Sequence, residues 1–183
     1  MNFEDDNSAY LKIPQRYLKK AGILDIRFEG NPKIKLQLAI EANSASGIVD
    51  VFTGPKTVAA DYHQPAMIVG ITKDQFGNPI SEDSKINFKF ESAVIIDQAD
   101  KKQKNLICFS EIPLQEQVGK IYMSAASGEA RSKENFLEIK PGSPSKFSIT
   151  ANRLNQFANE TENTIITSSV IKDKYGNQVT DGT

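Results

Sequence analysis

The 183-residue chain has one cysteine, one histidine and no tryptophan. A single cysteine, Cys108, excludes an intrachain disulfide framework. It lies among apolar neighbours in NLICFSEI and reads as a buried small hydrophobe, not a reactive thiol. The lone His63, in ADYHQPAM, has no serine, cysteine or acidic motif around it that would make it a general base. The chain holds no G-x-S-x-G, no Walker loop, no C-x-x-C and no H-E-x-x-H. No catalytic residue, cofactor or metal site is therefore expected, and the chain does not read as an enzyme. The absence of tryptophan and the five scattered tyrosines count against a flat aromatic platform for carbohydrate. Lysine and arginine total 22 against 23 acidic residues, a net charge of −1. Nothing in that balance neutralises phosphates, which excludes nucleic acid as an expected partner. No apolar run approaches the ~20 residues of a membrane helix, so no membrane insertion is expected within these residues. The acidic start MNFEDDNSAY is not a secretion signal. A secreted parent protein would carry its signal elsewhere.

What the chain has is a repeat. ITKDQFGNPI at 71–80 reappears as IKDKYGNQVT at 171–180. Asp74, Phe76, Gly77 and Asn78 correspond to Asp173, Tyr175, Gly176 and Asn177, each pair 99 residues apart. Ile13-Pro14 and Ile112-Pro113 share that offset. A period near 100 residues is too long for a solenoid and suits one small domain. The repeated segment reads as a structural turn. Gly and Asn tolerate positive φ, Asp accepts hydrogen bonds from the turn's own amides, and the aromatic folds over the core edge. A calcium site is the competing reading of the acidic and amide groups, but calcium takes 6–8 oxygens and each copy shows only one or two acids.

Most of the remaining sequence alternates with period 2, the mark of half-buried strands. Examples are ILDIRF (23–28), KIKLQLAIEA (33–42), GIVDVF (47–52), KINFKF (85–90), GKIYMSA (119–125), NFLEIK (135–140), SKFSIT (145–150) and NTIITSSVI (163–171). Turn signals separate them, so the fold class is all-β, a sandwich or barrel. PQRYLKKAG (14–22) supports at most a helical turn, and DQADKKQK (97–104) reads as an exposed hairpin tip. The expected core is Ile68, Ile71, Ile86, Phe88, Phe90, Ile107, Phe109, Ile121, Met123, Phe136 and Ile139.

KDQFGNPISEDSKINFKF, IYMSAASGEARS and FLEIKPGSPSKFSIT together resemble bacterial Ig-like domains of group 1, the invasin and intimin type. That family typically shows D-x-x-G-N-P-V, then V-x-F, an A-x-x-S-G turn and a P-G-x-P junction. Two departures are turn variations: Gln178 stands where the other copy has Pro79, and SEDS replaces the usual D-G-T. The resemblance implies tandem Ig-like antiparallel β-sandwiches, with 54–140 a complete unit, 1–53 the C-terminal part of one and 141–183 the N-terminal part of another. It implies a rod or stalk segment of a bacterial surface adhesin or fibre, extracellular or on the cell surface. Its expected partners are adjacent Ig-like units of the same array. The two partial units amount to about one period, which suggests head-to-tail self-association by exchange between chains. The alternatives are an Ig-like domain that binds a host protein or glycan, and an accessory domain of a secreted enzyme or of a secretion or injection apparatus.

Overall fold

A computed structural model describes residues 2–3, 9–28, 30–80, 84–152 and 164–179. The described chain is all-β, and its only helical element is a 3-10 turn at Gln15–Tyr17, entered through Pro14. Before the sandwich come β1 (Asn2–Phe3), β2 (Ala9–Tyr10), β3 (Gly22–Phe28) and β4 (Asn31–Ile40). The sandwich itself runs through β5 (Val49–Gly54), β6 (Thr57–Ala59), β7 (Met67–Thr72), β8 (Lys85–Glu91), β9 (Ile96–Lys102), β10 (Cys108–Glu111), β11 (Gly119–Ser127), β12 (Ala130–Arg131) and β13 (Asn135–Lys140). After it come β14 (Ile149–Asn152) and β15 (Ile165–Ser168).

Two sheets face each other. The smaller has the order β10-β7-β5; the larger has the order β6-β13-β11-β8-β9, with β12 beside β11. The pairings are antiparallel except for β6 with β13. This is an Ig-like sandwich. KINFKF shows why it closes: Ile86, Phe88 and Phe90 are fully buried while Lys85 and Lys89 face water. They meet Ile68, Ile121, Met123, Leu137 and Ile139 from the neighbouring strands. Burying side chains of this size stabilises by about 1.5–3 kcal/mol each.

Four of the expected core residues lie elsewhere. Ile68 and Ile71 are three apart, as are Phe136 and Ile139, and a period of 2 cannot place both members of such a pair inside. Ile68 and Ile139 take the core; Ile71 is only half-buried and Phe136 is exposed. In β10 the inward positions go to Cys108 and Ser110, so Ile107 and Phe109 point outward. Burial also pushes the Cys108 thiol up from its ordinary value. Residues 97–104 are not a hairpin tip: most of them form the edge strand β9. Its lysines and aspartates are the charges that keep an edge from pairing with another chain.

The Thr-Gly-Pro at 53–55 does not end the preceding segment. β5 pairs with β7 along its whole length and sends Val49 into the core. At Gly54–Pro55, whose peptide bond is cis, the chain passes from the smaller sheet to the larger. Proline has no N–H to continue a ladder, which suits it to that crossing. The sandwich therefore begins before residue 54.

The flanking segments repeat pieces of it. β14 pairs with β15 as β5 pairs with β7, and β3 pairs with β4 as β11 pairs with β13. Gly22 and Gly119 open β3 and β11 with φ of 141° and 151°. The described segment after the sandwich thus holds counterparts of β5 and β7.

Candidate functional site

The repeated Asp-x-aromatic-Gly-Asn segments follow β7 and β15, and both close in the same way. Gly77 N–H donates to Asp74 O and Asp74 N–H to Asn78 O; Gly176 and Asp173 repeat this with Asn177. Gly77 has φ +82° and Gly176 φ +87°. Among the described residues the only non-glycines at positive φ are Asn105 and Leu106, so Asn78 and Asn177 are not there for backbone freedom. Space beside Gly77 is open. Gly77→Ala is therefore expected to cost only the left-handed backbone penalty, about 1–2 kcal/mol, with no added clash. A chemical denaturation midpoint that does not move would contradict this.

The carboxylate of Asp74 is 2% exposed and takes four N–H donors. Its Oδ1 accepts from the amides of Phe76 (2.8 Å) and Asn78 (2.9 Å). Its Oδ2 accepts from the Asn78 side chain (2.9 Å) and from the Asn43 amide (3.2 Å), which lies ahead of the sandwich. Asp173 has the same set, from Tyr175, Asn177, the Asn177 side chain and the Gly142 amide. The distant donor is 31 residues back in both copies. Burial pushes both carboxyls up, but the bonds from the asparagine side chain and the amides outweigh it and hold both below the usual carboxylate range. All the hydrogen-bonding neighbours are donors, which suits an anion and leaves no oxygen-rich shell for a cation. Among the described residues no group of three or more His, Cys, Asp or Glu could hold a metal.

Each asparagine then reaches into the segment before it. Asn78 Nδ2 donates to Lys19 O (2.8 Å) and its Oδ1 accepts from Ala21 N–H (2.9 Å). Asn177 Nδ2 donates to Glu116 O (2.8 Å) and its Oδ1 accepts from Val118 N–H (3.2 Å). Both target turns precede a strand that opens on Gly22 or Gly119. One side chain thus binds a carbonyl and an amide two residues apart, and it is oriented by a carboxylate that also holds the linker. This is a clasp, made twice with the same atoms.

The two joints differ in what surrounds the clasp. At the second, Tyr175 packs against the sandwich core, and Asp61 accepts from Ser143 N–H at 3.1 Å. A Cβ on Gly142 would come within 2.7 Å of the Asp61 carboxyl carbon. At the first, Phe76 is half exposed, with the Lys19 ammonium 5.9 Å from its ring. Around Asn43 the linker is fixed by Ala45 O, which accepts from Glu129 and Ala130, and by Gly47 N–H, which donates to Lys73 O. His63 is exposed in a loop.

The fold and site together define an Ig-like sandwich tied at each end, through one repeated clasp, to a neighbouring β segment. Solved structures of similar fold include the Escherichia coli adhesin FdeC, with TM-score 0.59 and 18% identity over 88% of this chain and 53% of that one. InvD of Yersinia pseudotuberculosis is similar with TM-score 0.51 and 16% identity, over 87% of this chain and 52% of that one. The chain spans about half the length of these two structures. No protein-family model and no curated protein sequence matches it.

Proposed function

We propose that this chain is a rod segment of a bacterial surface adhesin or fibre of the invasin and intimin type, non-enzymatic, extracellular, and built of tandem Ig-like units. The observation that carries this reading is the repeated clasp. A stalk needs each unit held to the next in one orientation, and here two successive joints use the same six-atom connection between linker amide, carboxylate, asparagine and preceding turn. Similarity in fold to the adhesin FdeC supports the same reading. The partners of the clasp are the neighbouring units themselves.

Small-angle scattering of the whole chain tests it. The wild type is expected to give one narrow maximum dimension. Asn78→Ala with Asn177→Ala is expected to broaden it while the sandwich stays folded, because the substitutions remove two inter-segment bonds at each joint, worth about 0.5–1.5 kcal/mol apiece. A scattering profile unchanged by the double substitution would overturn the proposal. A binding module for a host protein or glycan is the second reading. It is favoured by the exposed Tyr122 and Phe136, whose ring centroids lie 6.4 Å apart on the outer face of the larger sheet.

A further inference from the structure

On the outer face of the larger sheet, β8, β11 and β13 set three side chains in one row. At Tyr122 both ladders of β11 meet, with Glu91 directly opposite on β8 and Phe136 directly opposite on β13. A strand alternates, and the buried positions beside Tyr122 belong to Ile121 and Met123, so the row faces water. The two rings lie 6.4 Å apart with their planes tilted by 56°. The Lys120 ammonium sits 4.5 Å from the Phe136 ring centroid, and Glu91 is paired with Lys89 at 3.0 Å. A cleft of about 730 Å³ opens beside the row, lined by Glu91, Ser92, Ala93, Lys120, Tyr122 and Glu134. Scattered in the sequence, these aromatic, acidic and basic groups come together only in the sheet.

We propose that this cleft binds a neutral hexose unit of a glycan, an inference that rests on the second reading, of the chain as a binding module, and names its ligand. A pyranose presents an apolar C–H face and a rim of hydroxyls. Lys120 lies over Phe136, so Tyr122 is the ring that takes the apolar face. The carboxylates of Glu91 and Glu134 accept from hydroxyls, and the Lys120 ammonium donates to one. Hydrogen bonds to ionised groups are the stronger kind. The two carboxylates are matched by two ammonium groups, Lys89 and Lys120, so the cleft favours neither an acidic nor a basic sugar. Its volume falls in the range of roughly 300–1,000 Å³ of small-ligand sites. The tilt between the rings leaves one sugar ring on Tyr122 and not a chain of sugars lying flat. A peptide fits less well. β11 is paired on both sides at Tyr122, so no open backbone edge is offered there to an incoming strand.

Saturation-transfer NMR on the full chain tests it. The probes are methyl β-galactoside, methyl β-glucoside and methyl α-mannoside, with methyl β-glucuronide as the acidic sugar and a tryptic digest of casein as peptide. Transfer to at least one neutral hexoside is expected. Tyr122→Ser should weaken that binding at least about tenfold, the equivalent of 1.4 kcal/mol, and Tyr122→Phe should keep it. Neither should move the melting curve, because the ring lies outside the core. Phe52→Ser, on the other sheet, should leave binding unchanged. No transfer to any neutral hexoside, transfer indifferent to Tyr122→Ser, or stronger transfer to the glucuronide would each overturn the proposal. The peptide arm separates it from the broader reading. Peptide contact that Tyr122→Ser abolishes, where no hexoside binds, removes the sugar and keeps the binding module; contact with neither removes both.

Discussion

Gly47→Ala is expected to destabilise the sandwich by about 3 kcal/mol or more, above the usual 1–3 kcal/mol of overpacking. A Cβ at this position would lie 2.0 Å from the Asp74 carbonyl oxygen, 2.6 Å from its carbon and 2.9 Å from Lys73 O. All three are backbone atoms, so no rotamer change relieves the contact. The strand cannot simply back away. Gly47 N–H donates to Lys73 O, and Lys73 N–H donates to Ile48 O. Moving either chain breaks bonds worth about 1 kcal/mol each and drags Asp74 from the amides it accepts. The substitution should therefore loosen the first joint as well as lower the urea midpoint. A loss below about 1 kcal/mol, well short of a backbone clash, would show that the approach is less close than described.

Asp74→Ala and Asp173→Ala are the second large effect. Each removes a buried acceptor of four N–H groups. Hydrogen bonds to charged groups contribute about 1.5–3 kcal/mol, and orphaned buried donors cost more than the bond was worth. A loss of about 3–5 kcal/mol at each site follows, the range seen on removing one partner of a buried charged pair. The same geometry sets a pH dependence. Both carboxyls sit below their unfolded value in the folded chain. Their contribution is therefore complete above the unfolded aspartate value of about 3.9 and is lost as pH falls through the lower folded value. Stability measured from pH 7 to pH 2 should be flat with respect to these groups until about pH 4 and then fall. In the double alanine variant this part of the acid slope should be missing. An acid slope identical to wild type would show that the two carboxylates do not carry it.

Much of this was legible in the chain. Alternation located β3, β4, β5, β8, β11, β13, β14 and β15 but not the edge strand β9, and Ile86, Phe88 and Phe90 declare their shared face outright. Phase was less secure. Ile107 and Phe109 alternate as well as any core pair, yet the smaller Cys108 and Ser110 face inward. Periodicity says which residues share a face but not which face is buried. The Thr-Gly-Pro at 53–55 looked like a break between units because proline ends a ladder, and here it ends one ladder so that the chain can join the other sheet. The turn geometry of Asp74 and Gly77 was local, within reach of turn chemistry. The clasp was not. Asn78 meets Lys19 and Ala21 across 59 and 57 residues, and Asn177 meets Glu116 and Val118 across 61 and 59. Backbone acceptors carry no sequence signature. The available signal was that Asn recurs after Gly in both copies although only glycine's φ is positive.

Electron–electron distance measurement across the second joint tests the clasp most directly. With Cys108→Ser, spin labels at Gln98→Cys and Thr167→Cys report the placement of the sandwich against the segment that follows it. The account predicts one narrow distance distribution, which broadens when Asn177→Ala is added while the sandwich keeps its melting transition. A broad distribution with Asn177 in place, or a narrow one that survives its removal, would contradict the claim that this side chain locks the joint.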